Sequence, residues 1–190
     1  MRVIAGALKG RHLASVRGRI RPTAAKVREA IFNILGEAVV EVRVLDLFAG
    51  TGALGIEALS RGAKEAVFVE DHPQALQVLR RNLSDLGLTA QTTVLPLPVL
   101  TALKRLAVRG ERFSLAFLDP PYGGGVAASV LDALAAAQLM LPQTWVVAEH
   151  SRRESLPERS GDLWRRELRR YGDTQVGFYL TTKPEDKEQS

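Results

Sequence analysis

The chain contains no cysteine among its 190 residues. Disulfides and thiolate metal sites are thereby excluded, and a reducing cytoplasm is the expected compartment. Histidine is scarce as well. His12, His72 and His150 are scattered, without the spacing of a metal site or a catalytic triad, so all three read as structural or surface residues and no metal is expected. Long apolar runs are missing: the longest, Val126 to Leu141, is alanine-rich, interrupted by Asp132 and too short for a membrane span. The opening "MRVIAGALKG" lacks the apolar centre of a secretory signal, and no internal repeat is visible. What is present is an ordinary globular composition, 46% hydrophobic and 25% charged, at a length that suits one domain with a real core.

Acidic residues are absent from one region. Residues 1–28 hold Arg2, Lys9, Arg11, Arg17, Arg19, Arg21, Lys26 and Arg28 with no Asp or Glu, while the remainder carries 18 basic against 21 acidic residues. The net charge of +5 is therefore +8 at the N-terminus and −3 elsewhere. A basic extension on a mildly acidic body is the footprint of a polyanion-binding segment, RNA or DNA, although a solvated flank has the same composition.

Residues 2–20 alternate apolar and basic groups around Gly6, Gly10 and Gly18, which predicts a short twisted hairpin or an extended arm. "RPTAAKVREAIFNILGEA" predicts a helix, with Thr23 as N-cap and Val27, Ile31, Ile34 and Leu35 on one face. A strand–helix alternation follows. Strands are expected at Arg43–Phe48, Ala66–Glu70, Ala90–Leu95, Leu115–Leu118 and Trp145–Glu149, and helices near Leu54–Arg61, Pro73–Leu86, Val99–Val108 and Val126–Leu139. Near-continuous apolar strands such as "RVLDLF" indicate a parallel sheet covered on both faces. "WRRELRRYG" and "QVGFYLTT", split by Gly172-Asp173, predict an antiparallel hairpin at the sheet edge. The expected fold is thus an α/β Rossmann-like sandwich with a mostly parallel seven-stranded sheet. Its divisions are a basic arm and helix at 1–40, a catalytic domain at 41–182 and a disordered tail at 183–190.

"DLFAGTGALGIEALSRGA" places Gly50, Gly52 and Gly55 in G-x-G-x-x-G spacing where the first strand turns into its helix, and Glu70 ends the next strand. Glycines let the backbone approach a ligand closely, and an acid at the second strand tip can accept both hydroxyls of a ribose. Dinucleotide and AdoMet enzymes share this device. "FLDPPYGGG" separates them, because hydride transfer has no use for Asp119-Pro120-Pro121-Tyr122 at the tip of strand four. Methyl transfer to an exocyclic base amine does. The amine lone pair is delocalised into the ring and must be turned toward the methyl carbon by acceptors on its N–H groups. The Asp119 carboxylate and the Pro120 carbonyl are such acceptors, prolines stiffen the backbone that holds them, and the Tyr122 ring can stack on the base.

In the order "RVIAGALKGRHL", "RPTAAKVREAIFNIL", "LDLFAGTGALGIEALSRGA", "VFVE" and "FLDPPY", the chain resembles over nearly its full length the RsmD family, bacterial methyltransferases acting on a guanine N2 of 16S ribosomal RNA. That resemblance implies a class I fold, S-adenosyl-L-methionine (AdoMet) as cofactor, and 16S rRNA or an assembling small ribosomal subunit as partner, with no membrane and a monomer expected. It implies Asp46, Phe48, Gly50, Gly52 and Glu70 at the cofactor, and Asp119, Pro120 and Tyr122 at the target base. RNA contacts would fall to Arg2, Lys9, Arg11, Arg21, Thr23 and Arg28. Two departures stand out: "TVLPLPVL" offers no polar side chain for adenine at the third strand tip, and "RPT" is followed by Ala24-Ala25. The competing readings are a DNA amino methyltransferase acting on adenine or cytosine, a nicotinamide-binding oxidoreductase and a catalytically silent RNA-binding protein. The basic, aromatic "WRRELRRY" suits either RNA or a protected sheet edge.

Overall fold

A computed structural model describes residues 1–16, 22–121 and 123–181, with the side chains of residues 22–24 outside that description. Arg17, Arg19, Arg21, Tyr122 and the 183–190 segment, all named above, lie outside the described residues.

Five parallel strands form the body of one sheet: β1 (Arg43–Leu47), β2 (Glu65–Val69), β3 (Thr92–Leu95), β4 (Phe113–Leu118) and β5 (Met140–Ser151). Three antiparallel strands, β6 (Arg159–Ser160), β7 (Leu163–Tyr171) and β8 (Thr174–Leu180), extend it in the order β3-β2-β1-β4-β5-β8-β7-β6. The expected edge hairpin is present, turning tightly at Gly172-Asp173 with Gly172 at φ +62°. Among the described residues the sheet has eight strands rather than seven. The extra strand, β6, is a two-residue return through Gly161-Asp162, with Gly161 at φ +57°, too short to leave a periodic signal. β5 starts earlier than expected because Pro142 and Gln143 (φ +56°) interrupt pairing without ending the strand, and the register against β4 shifts there.

Side-chain alternation sends each strand into two cores. On one face, Val44, Phe68, Leu115, Phe117 and Val147 pack under helices α1 (Pro22–Leu35), α2 (Ala53–Ser60) and α3 (Pro73–Asp85). On the other, Leu45, Val67, Ala116, Leu118 and Ala148 meet α4 (Val99–Val108) and α5 (Val126–Ala136). α1 begins at Pro22, so Thr23 lies within its first turn rather than ahead of it. Among the described residues no helix is long and apolar enough to cross a membrane.

The N-terminal segment is a hairpin, closed by Val3 N–H to the Arg11 carbonyl (3.0 Å), Leu13 N–H to the Met1 carbonyl (2.9 Å) and an Arg2–His12 bridge. It is not an arm set apart from the domain. Val3 and Leu13 are buried in the same core as α1 and the sheet. The Ile4 and Ala5 N–H groups donate to the two carboxylate oxygens of Glu57 (2.8 and 3.0 Å), and Leu8 N–H donates to Ser60 Oγ (3.0 Å). Farther along, Ala14 and Asn82 exchange two hydrogen bonds (2.8 and 3.1 Å). At Gly6, φ is +80° and an added Cβ would lie 1.7 Å from the Ser60 carbonyl oxygen, so only glycine lets the hairpin sit this close to α2.

Candidate active site

β1 and β4 are neighbours with Leu47 opposite Leu118, so the glycine loop after β1 and Asp119 after β4 emerge side by side at the carboxyl edge of the sheet. Ligands of open α/β sheets bind at that edge. The strand order reverses here, with β2 and β3 to one side and β4 and β5 to the other.

The glycine loop is braced from several directions. Ala49 N–H donates to the Val69 carbonyl (2.9 Å), Gly52 N–H to the Ala49 carbonyl (2.8 Å), and Asn82 Nδ2 to the Thr51 carbonyl (2.9 Å). Gly50 and Gly52 adopt φ of +57° and +87°. A Cβ at Gly52 would strike Leu79 and Ile56, and one at Gly55 would strike Phe68. Gly50 differs: apart from the Phe48 carbonyl at 4.0 Å, its Cβ would meet open space, which leaves room for a ligand against the backbone. Phe48 is half-buried and itself left-handed at φ +67°, a strain of about 1–3 kcal/mol in a non-glycine residue. Such strain gathers at ligand loops.

Glu70 is half-buried at the tip of β2. One carboxylate oxygen accepts from Gly50 N–H (2.7 Å) and the other from His72 N–H (2.8 Å). A carboxylate offers about four lone-pair directions, so after these two bonds it retains acceptor capacity for a ribose diol while holding the loop in place.

Asp46 was expected to touch the cofactor, but the structure places it beneath the loop. It is 1% exposed, and its Oδ2 accepts from Gly55 N–H at 2.9 Å. Burial pushes its pKa up to about 7, the Gly55 bond opposes that shift, and the Glu70 charge adds to it. Because the native state holds this proton more tightly than the unfolded chain, the stabilisation is fully present below about pH 4 and fades as pH rises toward 7. Wild type should therefore lose stability relative to Asp46→Asn between about pH 4 and pH 7, by up to about 1.4 kcal/mol per pH unit, in parallel melts of the two proteins. A constant difference across that range would contradict this protonation.

Asp119 is exposed and Pro120 buried, so the chain anchors the prolyl residue and presents the acid. Asp119 lines a solvent-open cavity together with Met1, Arg28, Ile31, Ala53, Leu54 and Glu149. Ala53 and Leu54 begin α2, so the cavity joins the end of the glycine loop to the Asp119 strand tip. It is bordered by the two motifs that sequence spacing singled out.

The basic residues divide. Arg2, Lys9 and Arg11 are exposed on the hairpin, Arg11 donating to the Asp85 carbonyl (3.0 Å). Arg28 is only 4% exposed and is not a surface phosphate contact: its guanidinium donates to the Arg2 carbonyl (2.7 Å) and Met1 Sδ (2.9 Å) and lies 3.7 Å from Glu57. Sequence reasoning also passed over Glu57. An acid inside the buried, apolar α2 was the available signal, since such a charge requires partners; here they are the hairpin amides and Arg61 Nε (2.9 Å). Glu149, at the carboxyl end of a parallel run next to β4, was missed although it sits in β5 much as Glu70 sits after β2. Of the histidines, His12 is exposed, His72 precedes α3 and His150 is buried.

The profile of the family described as "Conserved hypothetical protein 95" matches residues 1–180. This chain belongs to that family. It is 43% identical over 180 residues to the Bacillus subtilis protein YlbH, provisionally named an rRNA methyltransferase, covering 94% of this chain and 98% of that one. It is 33% identical over 158 residues to Escherichia coli ribosomal RNA small subunit methyltransferase D, covering 83% and 78%. Among solved structures, the Thermus thermophilus 16S rRNA guanine-N2 methyltransferase RsmC in complex with AdoMet and guanosine superposes with a TM-score of 0.66 at 27% identity, covering 88% of this chain and 44% of that one.

Proposed function

We propose that the protein is an AdoMet-dependent methyltransferase that modifies the N2 amine of a guanine in small-subunit ribosomal RNA. The observation that carries this reading is the cavity that puts Asp119 beside the end of the glycine loop. The small-subunit rRNA methyltransferase relative and the AdoMet complex of the 16S rRNA enzyme support it.

The residues present fit the cofactor. Open space beside Gly50 leaves room for a ligand against the backbone, and Glu70, held by two backbone N–H groups, retains lone pairs that can accept ribose hydroxyls. AdoMet supplies, when bound, a methyl group on a sulfonium and departs as a neutral thioether. The protein therefore has no leaving anion to stabilise, and its part is positioning. Asp119 and the Pro120 carbonyl accept the two N2–H bonds and turn the lone pair out of conjugation. Tyr122 stacks on the base. Because the methylated amine is acidic when formed, Asp119 can receive its proton without being a strong base. Arg2, Lys9 and Arg11 on the hairpin, with Arg21 and Thr23 near the start of α1, grip RNA phosphates. Arg28 shapes the cavity wall. The protein is taken to act as a monomer without metal.

Incubation with methyl-labelled AdoMet should label small-subunit RNA or particles and leave duplex DNA unlabelled; label in DNA alone would favour the DNA enzyme. Glu70→Ala should weaken AdoMet binding by about 10- to 150-fold, the worth of a charge-assisted hydrogen bond, and weaken RNA binding less. Calorimetry with AdoMet and with RNA reads both. Unchanged AdoMet affinity would remove Glu70 from the site, and preferential binding of NAD(H) would revive the oxidoreductase.

A further inference from the structure

The cavity has a second acid besides Asp119. Glu149 lines the same wall, half-buried, on the strand adjacent to β4. Leu118 and Ala148 are paired across the parallel strands, so Asp119 and Glu149 are the next residues out along neighbouring strands, about 4.8 Å apart at the backbone. Alternation places both on one face. Phe117 and Val147, two residues before each acid, belong to the core under α1, while Leu118 and Ala148 belong to the opposite core. The two carboxylates therefore face the space that α1 covers, and Arg28 reaches that space from α1.

We propose that Glu149 is a specificity-determining residue, its carboxylate accepting the N1–H of the target guanine. The inference rests on the amino-methyltransferase reading above and adds the group that selects the base. The Watson–Crick edge of guanine carries the N2 amine, then the N1–H donor, then the O6 acceptor. Beyond the acceptor that meets the amine, a second acceptor-only group fits guanine alone among the amine-bearing bases. Adenine N1 and cytosine N3 present lone pairs at the position next to the amine, and a carboxylate there repels them. Arg28 lines the same cavity from α1, its guanidinium held by the Arg2 carbonyl, Met1 Sδ and Glu57. One exposed acid at a strand tip would be a solvated end. Two acids in register, facing one cavity, form a pair of acceptors that matches the N2 amine and N1–H of one base.

The test uses full-length protein and small-subunit RNA in which the methylated guanine, located by mass mapping, is replaced by 2-aminopurine. That analogue keeps the amine at C2 but has a lone pair at N1 and no oxygen at C6. A site that bonds a substrate N–H can reject an analogue lacking it by up to about 10⁴-fold, and a half-buried group should give about 10- to 10³-fold. Wild type is therefore expected to prefer guanine over 2-aminopurine in kcat/KM within that range. In Glu149→Gln the carboxamide can turn its NH₂ toward N1 of the analogue, so the preference should fall at least about tenfold while AdoMet affinity is retained. A wild-type preference near unity, or one unchanged in Glu149→Gln, overturns the proposal. If the glutamine variant fails to bind AdoMet, the wild-type preference and Glu149→Asp, which keeps the charge and should keep guanine selection, decide the matter. If wild type methylates no guanine at all, the underlying reading falls and takes this one with it, an outcome told apart because the variant is not needed to see it.

Discussion

Replacing Asp119 with alanine is expected to lower methyl transfer to small-subunit RNA by at least about 10²-fold while changing AdoMet affinity by less than about twofold. The split follows from where the side chain stands. Asp119 is exposed at the tip of β4 and lines the cavity next to the start of α2, whereas the groups assigned to the cofactor, the Gly50 backbone and Glu70, belong to β1, β2 and their loops. Without the carboxylate the amine keeps its lone pair in the ring, and mis-set reacting groups cost that much in rate. Alanine loses little stability at an exposed position, so a folding defect should not mimic the effect. Single-turnover transfer and AdoMet calorimetry on the same preparation read both halves. Most of the turnover surviving would refute the role of Asp119, and a parallel loss of AdoMet binding would place the residue at the cofactor instead.

Removing residues 1–16 is expected to destabilise the protein by at least about 4 kcal/mol. By composition the segment looks dispensable: basic, glycine-containing and without a long apolar run. Its contacts give the opposite expectation. The carboxylate of Glu57, 1% exposed, accepts from two hairpin amides, and hydrogen bonds to a charged group contribute about 1.5–3 kcal/mol each. Val3 and Leu13 bury apolar side chains worth about 1.5–3 kcal/mol apiece. Water reaching Glu57 in the truncated protein offsets part of this, which is why the estimate lies below the sum. For a chain of this length the loss corresponds to a fall in Tm of about 8–16 °C. A truncated protein melting within about 3 °C of full length would mean that the hairpin is only laid on the surface. Arg28 should be affected as well, since two of its partners, the Arg2 carbonyl and Met1 Sδ, leave with the segment.

The contrast between these two results marks what could be read in the sequence. The glycine loop, Glu70 and Asp119 were legible because each is punctuation: glycines at a strand-to-helix turn, and acids where an apolar strand stops. Local chemistry fixes such positions, and the parallel sheet brings them to one edge without further instruction. The helices were legible from their apolar period, and α4 matches its expected range. What was hidden depends on partners far along the chain. Glu57 meets Ile4 across 53 residues, and Arg28 is buried because Met1 and Arg2 cover it. A cation in a basic stretch carries no mark of whether it points into water or into a core. Asp46 misled for a related reason: its place in the loop motif suggested ligand contact, while its role here is to hold the amide of Gly55 from below. The acid of β5 went unread because Glu149, at the end of its expected strand, resembles any solvated end until its register beside β4 is known.

The central claim, methylation of guanine N2 by this site, is tested most directly by identifying the modified nucleoside. Small-subunit RNA from cells lacking the gene, treated with purified protein and methyl-labelled AdoMet, should yield on digestion a single labelled species, N2-methylguanosine, located at one position by mass mapping. Label in N6-methyladenosine or N4-methylcytidine would contradict the account of the cavity, and RNA that stays unlabelled both free and in assembled particles would contradict the activity itself.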